Sequence, residues 1–116
     1  MNSLPAMTVE EVARKRAAGA DFVLLDVREP HELDRANLGD EVVNVPLSEI
    51  AMNQLDAFPP EMLDDKDAEI VVMCHHGNRS AQVTAWLRHN GWINVSNMTG
   101  GIDAYARQVD GTVGRY

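Results

Sequence analysis

The sequence predicts an α/β protein built on a mostly parallel β-sheet. Two short apolar runs, residues 22–25 and 70–73, are the clearest strand signals, and each ends beside a side chain capable of chemistry. Weaker runs at residues 42–45 and 93–95 add two more short strands. Helix and turn signals separate all four runs, and strands that alternate with helices are typical of a parallel sheet.

The predicted helices begin where local signals fit a helix start. Thr8 and Glu11 form a capping-box pattern ahead of the first helix, and Gly19 ends it. Pro30 suits the first position of a short second helix that closes at Gly39. Further helices are expected from Ser48 to the pair Pro59 and Pro60, from Ser80 to about Asn90, and from Ile102 to Val109. The expected pattern is therefore a helix after every strand.

Length and composition indicate one compact domain covering residues 1–116. With 45% hydrophobic and 24% charged residues, the chain of 116 residues has enough apolar material to bury a core without covalent cross-links. Its formal net charge of -8, with no local cluster of Lys or Arg, would repel phosphate backbones and anionic membrane surfaces. We therefore expect neither nucleic acid nor a membrane among its partners.

Cys74 is the single cysteine of the chain, so it cannot form an internal disulfide. The four scattered histidines provide no paired Cys/His spacing for zinc, and we expect no metal and no cofactor. The N-terminal residues lack the basic region and apolar core of a secretory signal. No apolar run approaches the roughly 18 residues that a membrane-spanning helix needs. These features predict a cytoplasmic protein.

The chemistry is expected in the Cys74 loop, residues 74–80, which joins a buried strand to a helix. In open α/β sheets the carboxyl ends of the strands bind ligands, because loops and helix N-termini converge there. A helix N-terminus and the cation of Arg79 both favour thiolate over thiol, and the thiolate is the nucleophile. Gly77 lets the loop turn back, so that successive backbone N–H groups can surround an anion. The loop therefore suits a nucleophilic sulfur.

The plainer interpretation of Cys74 is a small buried hydrophobe, which is the commoner fate of a cysteine after an apolar strand. The residues that follow argue against it. They are polar or glycine up to Arg79, and a packing position has no need of such a sequence. We therefore favour the nucleophile.

Four segments resemble the rhodanese family. Residues 74–80, with glycine at the fourth place and arginine at the sixth, are similar to the rhodanese active-site loop. Residues 24–33 resemble the DVRE stretch near the N-terminus of that family, and residues 44–48 resemble the segment that follows it. Residues 100–105 resemble the glycine-pair and aromatic signature near the C-terminus. The four motifs occur in the expected order over nearly the whole chain, which makes them more specific together than singly.

The resemblance implies the rhodanese-like fold, with about four or five strands and helices on both faces of the sheet. It also implies a sulfurtransferase that works by ping-pong transfer through a persulfide on Cys74. The implied substrate-binding residues are His75, His76, Gly77, Asn78, Arg79 and Ser80. The expected donor is a small anion such as thiosulfate, or a persulfide. The expected acceptor is cyanide or a thiol, including that of a small redox protein or a sulfur-carrier protein.

The flanking residues have more than one interpretation. Asp26 and Arg28 are expected to support the Cys74 loop through hydrogen bonds and ion pairs rather than to touch substrate. His75 and His76 either tune the thiolate, contact substrate or point into solvent. Ser80 either donates to the sulfur or only caps the helix.

Two other function classes stay open. A cysteine-dependent phosphatase or arsenate reductase would use the same cysteine and arginine on oxyanion esters. The related dual-specificity phosphatases, however, have one more residue between the two than this loop provides. A non-catalytic rhodanese-like binding module would keep the fold, but such modules usually lose the nucleophile, which is present here.

Overall fold

The computed structural model describes residues 4–116. Five strands are formed: β1 (Ala6–Met7), β2 (Val23–Asp26), β3 (Val43–Asn44), β4 (Ile70–Met73) and β5 (Val95–Met98). The helices are α1 (Val9–Ala17), α2 (Pro30–Leu33), α3 (Leu47–Asn53), α4 (Pro60–Leu63), α5 (Asn78–His89) and α6 (Gly101–Gln108). Short 3-10 helices cover Gln54–Ala57 and Gly111–Val113. The strands pair in parallel in the order β1-β5-β4-β2-β3, which confirms the predicted fold class.

The sheet register brings the chemistry-bearing strand ends together. Asp26 at the end of β2 pairs with Met73 at the end of β4 and with Asn44 at the end of β3. Cys74 follows Met73 directly, and all these strands run in the same direction. The carboxyl ends of three neighbouring strands therefore form one edge, on which the Cys74 loop lies.

Side chains of β4 alternate between two buried cores, because successive residues of a strand point to opposite faces of the sheet. Ile70 and Val72 belong to one core, to which α3, α4 and α5 contribute. Val71 and Met73 belong to the other core, to which α1 and α6 contribute. All four side chains are 0% exposed, so both faces of the sheet are covered by helices, as predicted.

The strand predictions matched β4 and located β2 and β3 to within one residue at each end, but they missed β1 and misplaced β5. β1 has only two residues, Ala6 and Met7, which are too few for an apolar pattern to mark them. β5 covers Val95–Met98 rather than residues 93–95, and Ile93 is 69% exposed. β5 contains the polar residues Ser96 and Asn97, so it does not form an apolar run in the sequence.

The helix predictions were accurate at α1 and, to within one residue at each end, at α6, and less accurate elsewhere. The capping box is present, since Glu11 donates its N–H to Thr8 Oγ1 at 3.1 Å and accepts the Thr8 N–H at 3.2 Å. The helix predicted from Pro30 to Gly39 is a single turn, Pro30–Leu33. α5 begins at Asn78, two residues before the predicted start, and so includes Arg79.

Residues 4–116 contain no helix that is both long and apolar enough to cross a membrane. The prediction of one domain over residues 1–116 stays a prediction, and residues 1–3 of it lie outside the described part of the chain.

Candidate active site

Cys74 lies where the chain turns from β4 into the Cys74 loop. Its Sγ accepts the backbone N–H of Gly77 at 3.1 Å and that of Ser80 at 3.4 Å. The hydroxyl oxygen of Ser80 lies 3.3 Å from the same sulfur. These donors belong to the N-terminus of α5, where the first N–H groups have no intrahelical acceptor. The sulfur therefore faces the positive end of the helix dipole, a position that suits an anion.

The sulfur is also well buried, since only 1% of Cys74 is exposed. It belongs to the same apolar cluster as Val72 and Val83, so one side of it is packed like any core residue. A purely structural cysteine would share that burial but has no use for three polar contacts at the sulfur. The recess thus combines an apolar wall with aligned hydrogen-bond donors.

Gly77 determines how the loop turns. Its φ of 103° lies in the left-handed region, and a Cβ at this position would come within 3.2 Å of the Gly100 backbone nitrogen. Within residues 4–116, the N–H groups of His76, Asn78 and Arg79 have no hydrogen-bond acceptor. Unpaired N–H groups in a tight loop form a concave site for an anion. The loop can therefore hold negative charge beyond that of the sulfur itself.

The N-terminus of α6 fixes the loop from the other side. Ile102 donates its N–H to the Cys74 carbonyl at 2.9 Å, and Asp103 donates to the His75 carbonyl at 3.1 Å. Gly101 makes this approach possible, because a Cβ there would lie 2.3 Å from the His75 oxygen and 2.5 Å from the Cys74 oxygen. The second glycine of the pair in residues 100–105 therefore allows close contact between α6 and the loop.

Arg79 does not extend freely over the sulfur but is held by Glu32 of α2. Its Nη1 donates to Glu32 Oε2 at 2.7 Å and its Nη2 to Glu32 Oε1 at 2.9 Å. Such a bidentate pair is among the stronger charge-assisted contacts in proteins. The hydrogen bond to Glu32 raises the pKa of Arg79, and the same bond lowers the pKa of Glu32 to about 2 although burial opposes it.

We expect acid to weaken the fold through Glu32. Because its pKa is lower in the folded chain than in the unfolded one, the carboxylate stabilises the fold at neutral pH. This stabilisation, on the order of 2 kcal/mol, is lost as the pH falls from about 5 to about 2. Urea unfolding of the wild type and of Glu32→Gln across this range should show a steep pH profile for the wild type and a flatter one for the variant. Parallel profiles would contradict the assignment.

Asp26 and Arg28 form a buried ion pair beneath the loop. Asp26 is 2% exposed and Arg28 0% exposed. The guanidinium donates to both carboxylate oxygens of Asp26, with the shortest contact at 2.7 Å, and to the carbonyls of Glu32 and Ala36. Burial opposes the charge of Arg28, but the hydrogen bonds with Asp26 and Tyr116 outweigh it and raise its pKa. The pair anchors the chain segment that carries Glu32.

Tyr116 connects this network to the loop histidines. Its hydroxyl donates to Glu32 Oε1 at 2.8 Å and accepts from Arg28 Nη1 at 3.2 Å. Its ring stacks on His75 with a centroid distance of 3.8 Å, and the His75 ring is 3.9 Å from that of His76. Burial, followed by the charge of His76, lowers the pKa of His75. His75 is therefore enclosed between two rings, while the His76 side chain is 59% exposed.

Ser80 is buried beside the sulfur and has a second partner. Its hydroxyl donates to Asn97 Oδ1 of β5 at 2.5 Å, and Asn97 Nδ2 donates to the Gly77 carbonyl at 3.2 Å. Ser80 does not cap α5, because the N-cap residue is Gly77. Of the two roles left open by the sequence, the contact with sulfur is the one the geometry favours.

The structure brings most of the predicted site residues together and adds three that were missed. Gly77 and Ser80 contact the Cys74 sulfur, whereas His75 is stacked on Tyr116 and Arg79 is paired with Glu32. Asn78 contributes its backbone at the helix start, and Asp26 and Arg28 lie beneath. The missed residues are Glu32, Asn97 and Tyr116. Glu32 had a signal, since it is the last acidic residue of the segment that resembles the DVRE motif, whereas nothing local marks Asn97 or Tyr116.

One group of side chains could hold a metal ion, although the sequence predicts none. Ligand atoms of His75, His76 and Asp103 lie within 4.8 Å of one another. The Asp103 carboxylate, however, already accepts from Arg107 at 3.0 Å and from Arg115 at 3.4 Å. Two guanidinium groups disfavour a further cation at that carboxylate, so we assign no metal here.

Most of the chain matches a known protein-family model. Residues 8–108 match the model described as a rhodanese-like domain. A sulfurtransferase of Allochromatium vinosum is 32% identical over 98 residues, which cover 84% of each protein. A rhodanese-related protein from Thermoplasma volcanium has a TM-score of 0.72 and 27% identity, and the match covers 90% of this chain and 93% of that one.

Other relatives are much longer proteins. A tRNA uridine(34) hydroxylase of Sodalis glossinidius is 35% identical over 86 residues, which cover 74% of this chain but 24% of that protein. Among the relatives at 35% identity, the chain spans 24% to 30% of the full length.

Proposed function

The chain belongs to the rhodanese-like family, and on that premise we propose that it is a sulfurtransferase that carries a sulfane sulfur on Cys74. In the first half-reaction the Cys74 thiolate attacks the outer sulfur of the donor and forms a new S–S bond. The donor's own S–S bond breaks, and the electron pair leaves with its remainder, which is sulfite when the donor is thiosulfate. In the second half-reaction an acceptor thiolate or cyanide takes the outer sulfur, and the Cys74 thiolate leaves.

The observation that carries this proposal is the set of donors aimed at the sulfur. Sγ accepts N–H groups from Gly77 and Ser80 at a helix N-terminus, in a recess from which most water is excluded. Fixed donors in such surroundings stabilise a negative charge without reorganising during the reaction. Sγ loses its negative charge in the first half-reaction and regains it in the second, so the donors stabilise the atom whose charge changes.

The unpaired N–H groups of His76, Asn78 and Arg79 support a second role for the loop. A persulfide adds a second sulfur about 2 Å from Sγ, and that outer sulfur also carries negative charge. We propose that these three N–H groups hold it, and that they hold the anionic end of a donor before the transfer.

Arg79 requires a modified interpretation. Glu32 occupies both of its terminal nitrogens and balances its charge, whereas its Nε has no acceptor within residues 4–116. We propose that Arg79 mainly keeps the loop in shape through Glu32, with the Nε–H as its one contact for a donor. Asp26 and Arg28 act below the loop as supports.

The proposed donor is small at its reacting end, such as thiosulfate or a persulfide, because the sulfur it must meet is buried. The proposed acceptor in a cell is a thiol, including that of a small redox protein or a sulfur-carrier protein, and cyanide serves in an assay. A cysteine that must stay reduced between turnovers suits a reducing compartment, so we place the reaction in the cytoplasm.

Intact-protein mass spectrometry tests the proposal directly. Incubation with thiosulfate should add the mass of one sulfur atom to the chain, and later addition of cyanide should remove it with release of thiocyanate. A parallel incubation with an aryl phosphate should give no phosphate release, which would separate this reaction from that of a cysteine-dependent phosphatase. A folded protein that gains no sulfur from either thiosulfate or a persulfide would overturn the assignment and favour a binding module.

A further inference from the structure

Asn97 is the one polar side chain of β5 that reaches the Cys74 loop. Its Nδ2 donates to the Gly77 carbonyl at 3.2 Å, and its Oδ1 accepts from the Ser80 hydroxyl at 2.5 Å. The backbone of Asn97 pairs with Val72 of β4, so the side chain comes from the strand beside the one that delivers Cys74. It therefore spans the loop from the turn at Gly77 to the serine next to the sulfur.

The two contacts determine which way the amide of Asn97 points. The Gly77 carbonyl accepts only, so the group that faces it must be the NH₂. Reversing the amide would place two acceptor oxygens against each other at Gly77. The oxygen of Asn97 consequently faces Ser80, where it acts as an acceptor alone.

The hydroxyl of Ser80 has one proton and two neighbours that can accept it. Its oxygen lies 2.5 Å from Asn97 Oδ1 and 3.3 Å from Cys74 Sγ. While the proton is donated to Asn97, the serine offers the sulfur only its lone pairs. A protonated thiol fits that arrangement, because the S–H can donate to Ser80, which in turn donates to Asn97. A thiolate gains nothing from the Ser80 hydroxyl in that arrangement and keeps only the N–H groups of Gly77 and Ser80 as donors.

We propose that Asn97 is a positioning residue that sets the balance between thiol and thiolate at Cys74 by competing for the proton of Ser80. When the Ser80 hydroxyl donates its hydrogen bond to Asn97, the thiol is favoured. When the hydroxyl rotates and donates to the sulfur, the thiolate gains a third hydrogen bond beside those from Gly77 and Ser80 N–H. The rotation moves no proton between atoms and needs no other reactant.

This competition fits both half-reactions of the proposed transfer, on which its catalytic consequence rests. In the persulfide state Sγ is no longer an anion, and Asn97 keeps the Ser80 hydroxyl oriented. When the acceptor removes the outer sulfur and Sγ becomes a thiolate again, a rotation of the hydroxyl supplies a donor to the leaving group. Asn97 thus keeps the Ser80 hydroxyl oriented until it is needed as a hydrogen-bond donor to the leaving thiolate.

The test compares alkylation rates against pH for the wild type, Asn97→Leu, Ser80→Ala and the double variant. Iodoacetamide is a suitable probe because it reacts with thiolate, and the chain has a single cysteine. Asn97→Leu removes the competing acceptor, so the Ser80 hydroxyl is free to donate a hydrogen bond to the thiolate, and the midpoint of the rate profile should move down by about one pH unit. In the Ser80→Ala background the same substitution should produce no such shift.

Two outcomes would overturn the inference. One is an unchanged midpoint in folded Asn97→Leu. The other is an equal shift with and without Ser80, which would show that Asn97 acts only through its bond to Gly77. Asn97→Val, whose branched side chain suits a strand, provides a second variant if the leucine does not fold. Alkylation needs no sulfur donor, so failure of this inference is distinguishable from failure of the transfer reaction.

Discussion

Replacing Cys74 with serine is expected to reduce sulfur transfer to the uncatalysed rate. A serine hydroxyl stays protonated at neutral pH and cannot accept sulfur to form an S–S bond. The chain has no second cysteine that might take over the role. The measurement is thiocyanate formation from thiosulfate and cyanide, with intact mass recorded after the donor alone.

The same variant should keep its fold, which makes the loss of activity interpretable. Oxygen is smaller than sulfur, and the N–H groups of Gly77 and Ser80 can donate to a hydroxyl as well as to a thiol. We expect circular dichroism and the midpoint of urea unfolding to stay close to those of the wild type. Thiocyanate formation by folded Cys74→Ser at the wild-type rate would remove the persulfide mechanism altogether.

Replacing Arg28 with methionine is expected to lower the free energy of unfolding by about 3–5 kcal/mol, because it leaves a buried charge without its partner. Arg28 is 0% exposed and Asp26 2% exposed, so water cannot replace the lost contacts. The carbonyls of Glu32 and Ala36 and the hydroxyl of Tyr116 would lose a donor at the same time. The effect should be among the largest of any single polar substitution in the chain.

Urea unfolding followed by tryptophan fluorescence measures this effect. Arg14→Met is the matched control, since Arg14 is exposed and makes no salt bridge within residues 4–116, and it should change the free energy of unfolding by less than about 0.5 kcal/mol. Arg28→Met combined with Asp26→Asn should recover part of the loss, because the uncompensated carboxylate is gone. A loss in Arg28→Met no greater than in the control would show that the pair contributes nothing.

The sequence predicts the parts of the fold that depend on local patterns. β2 and β4 are recognisable because they are short apolar runs, and α1 because a capping box precedes it. β1 is not recognisable, since two residues acquire strand geometry only by pairing with β5. β5 is hard to recognise because Asn97 interrupts its apolar pattern. This polar side chain forms hydrogen bonds with the Cys74 loop instead of packing in a core.

The site was predictable to a similar extent. Residues of the Cys74 loop lie next to one another in the chain, so their joint chemistry can be inferred from spacing. The partners of Arg79 and Ser80 come from elsewhere, Glu32 from α2 and Asn97 from β5, and only the folded sheet brings them within hydrogen-bond distance. The pairing of Arg79 with Glu32, on which the proposed role of Arg79 rests, could for that reason not be inferred from spacing along the chain.

The burial of Cys74 has a consequence for what the protein can exchange. With 1% of the residue exposed, the anchoring sulfur lies below the surface, while a second sulfur attached to it stands about 2 Å further out. If the chain carries sulfur as proposed, we expect a partner's thiol to reach the outer sulfur without contacting Sγ of Cys74. We also expect the burial of Sγ to slow its reaction with a bulky disulfide more than its reaction with a small donor, which would protect the carrier from mixed disulfides.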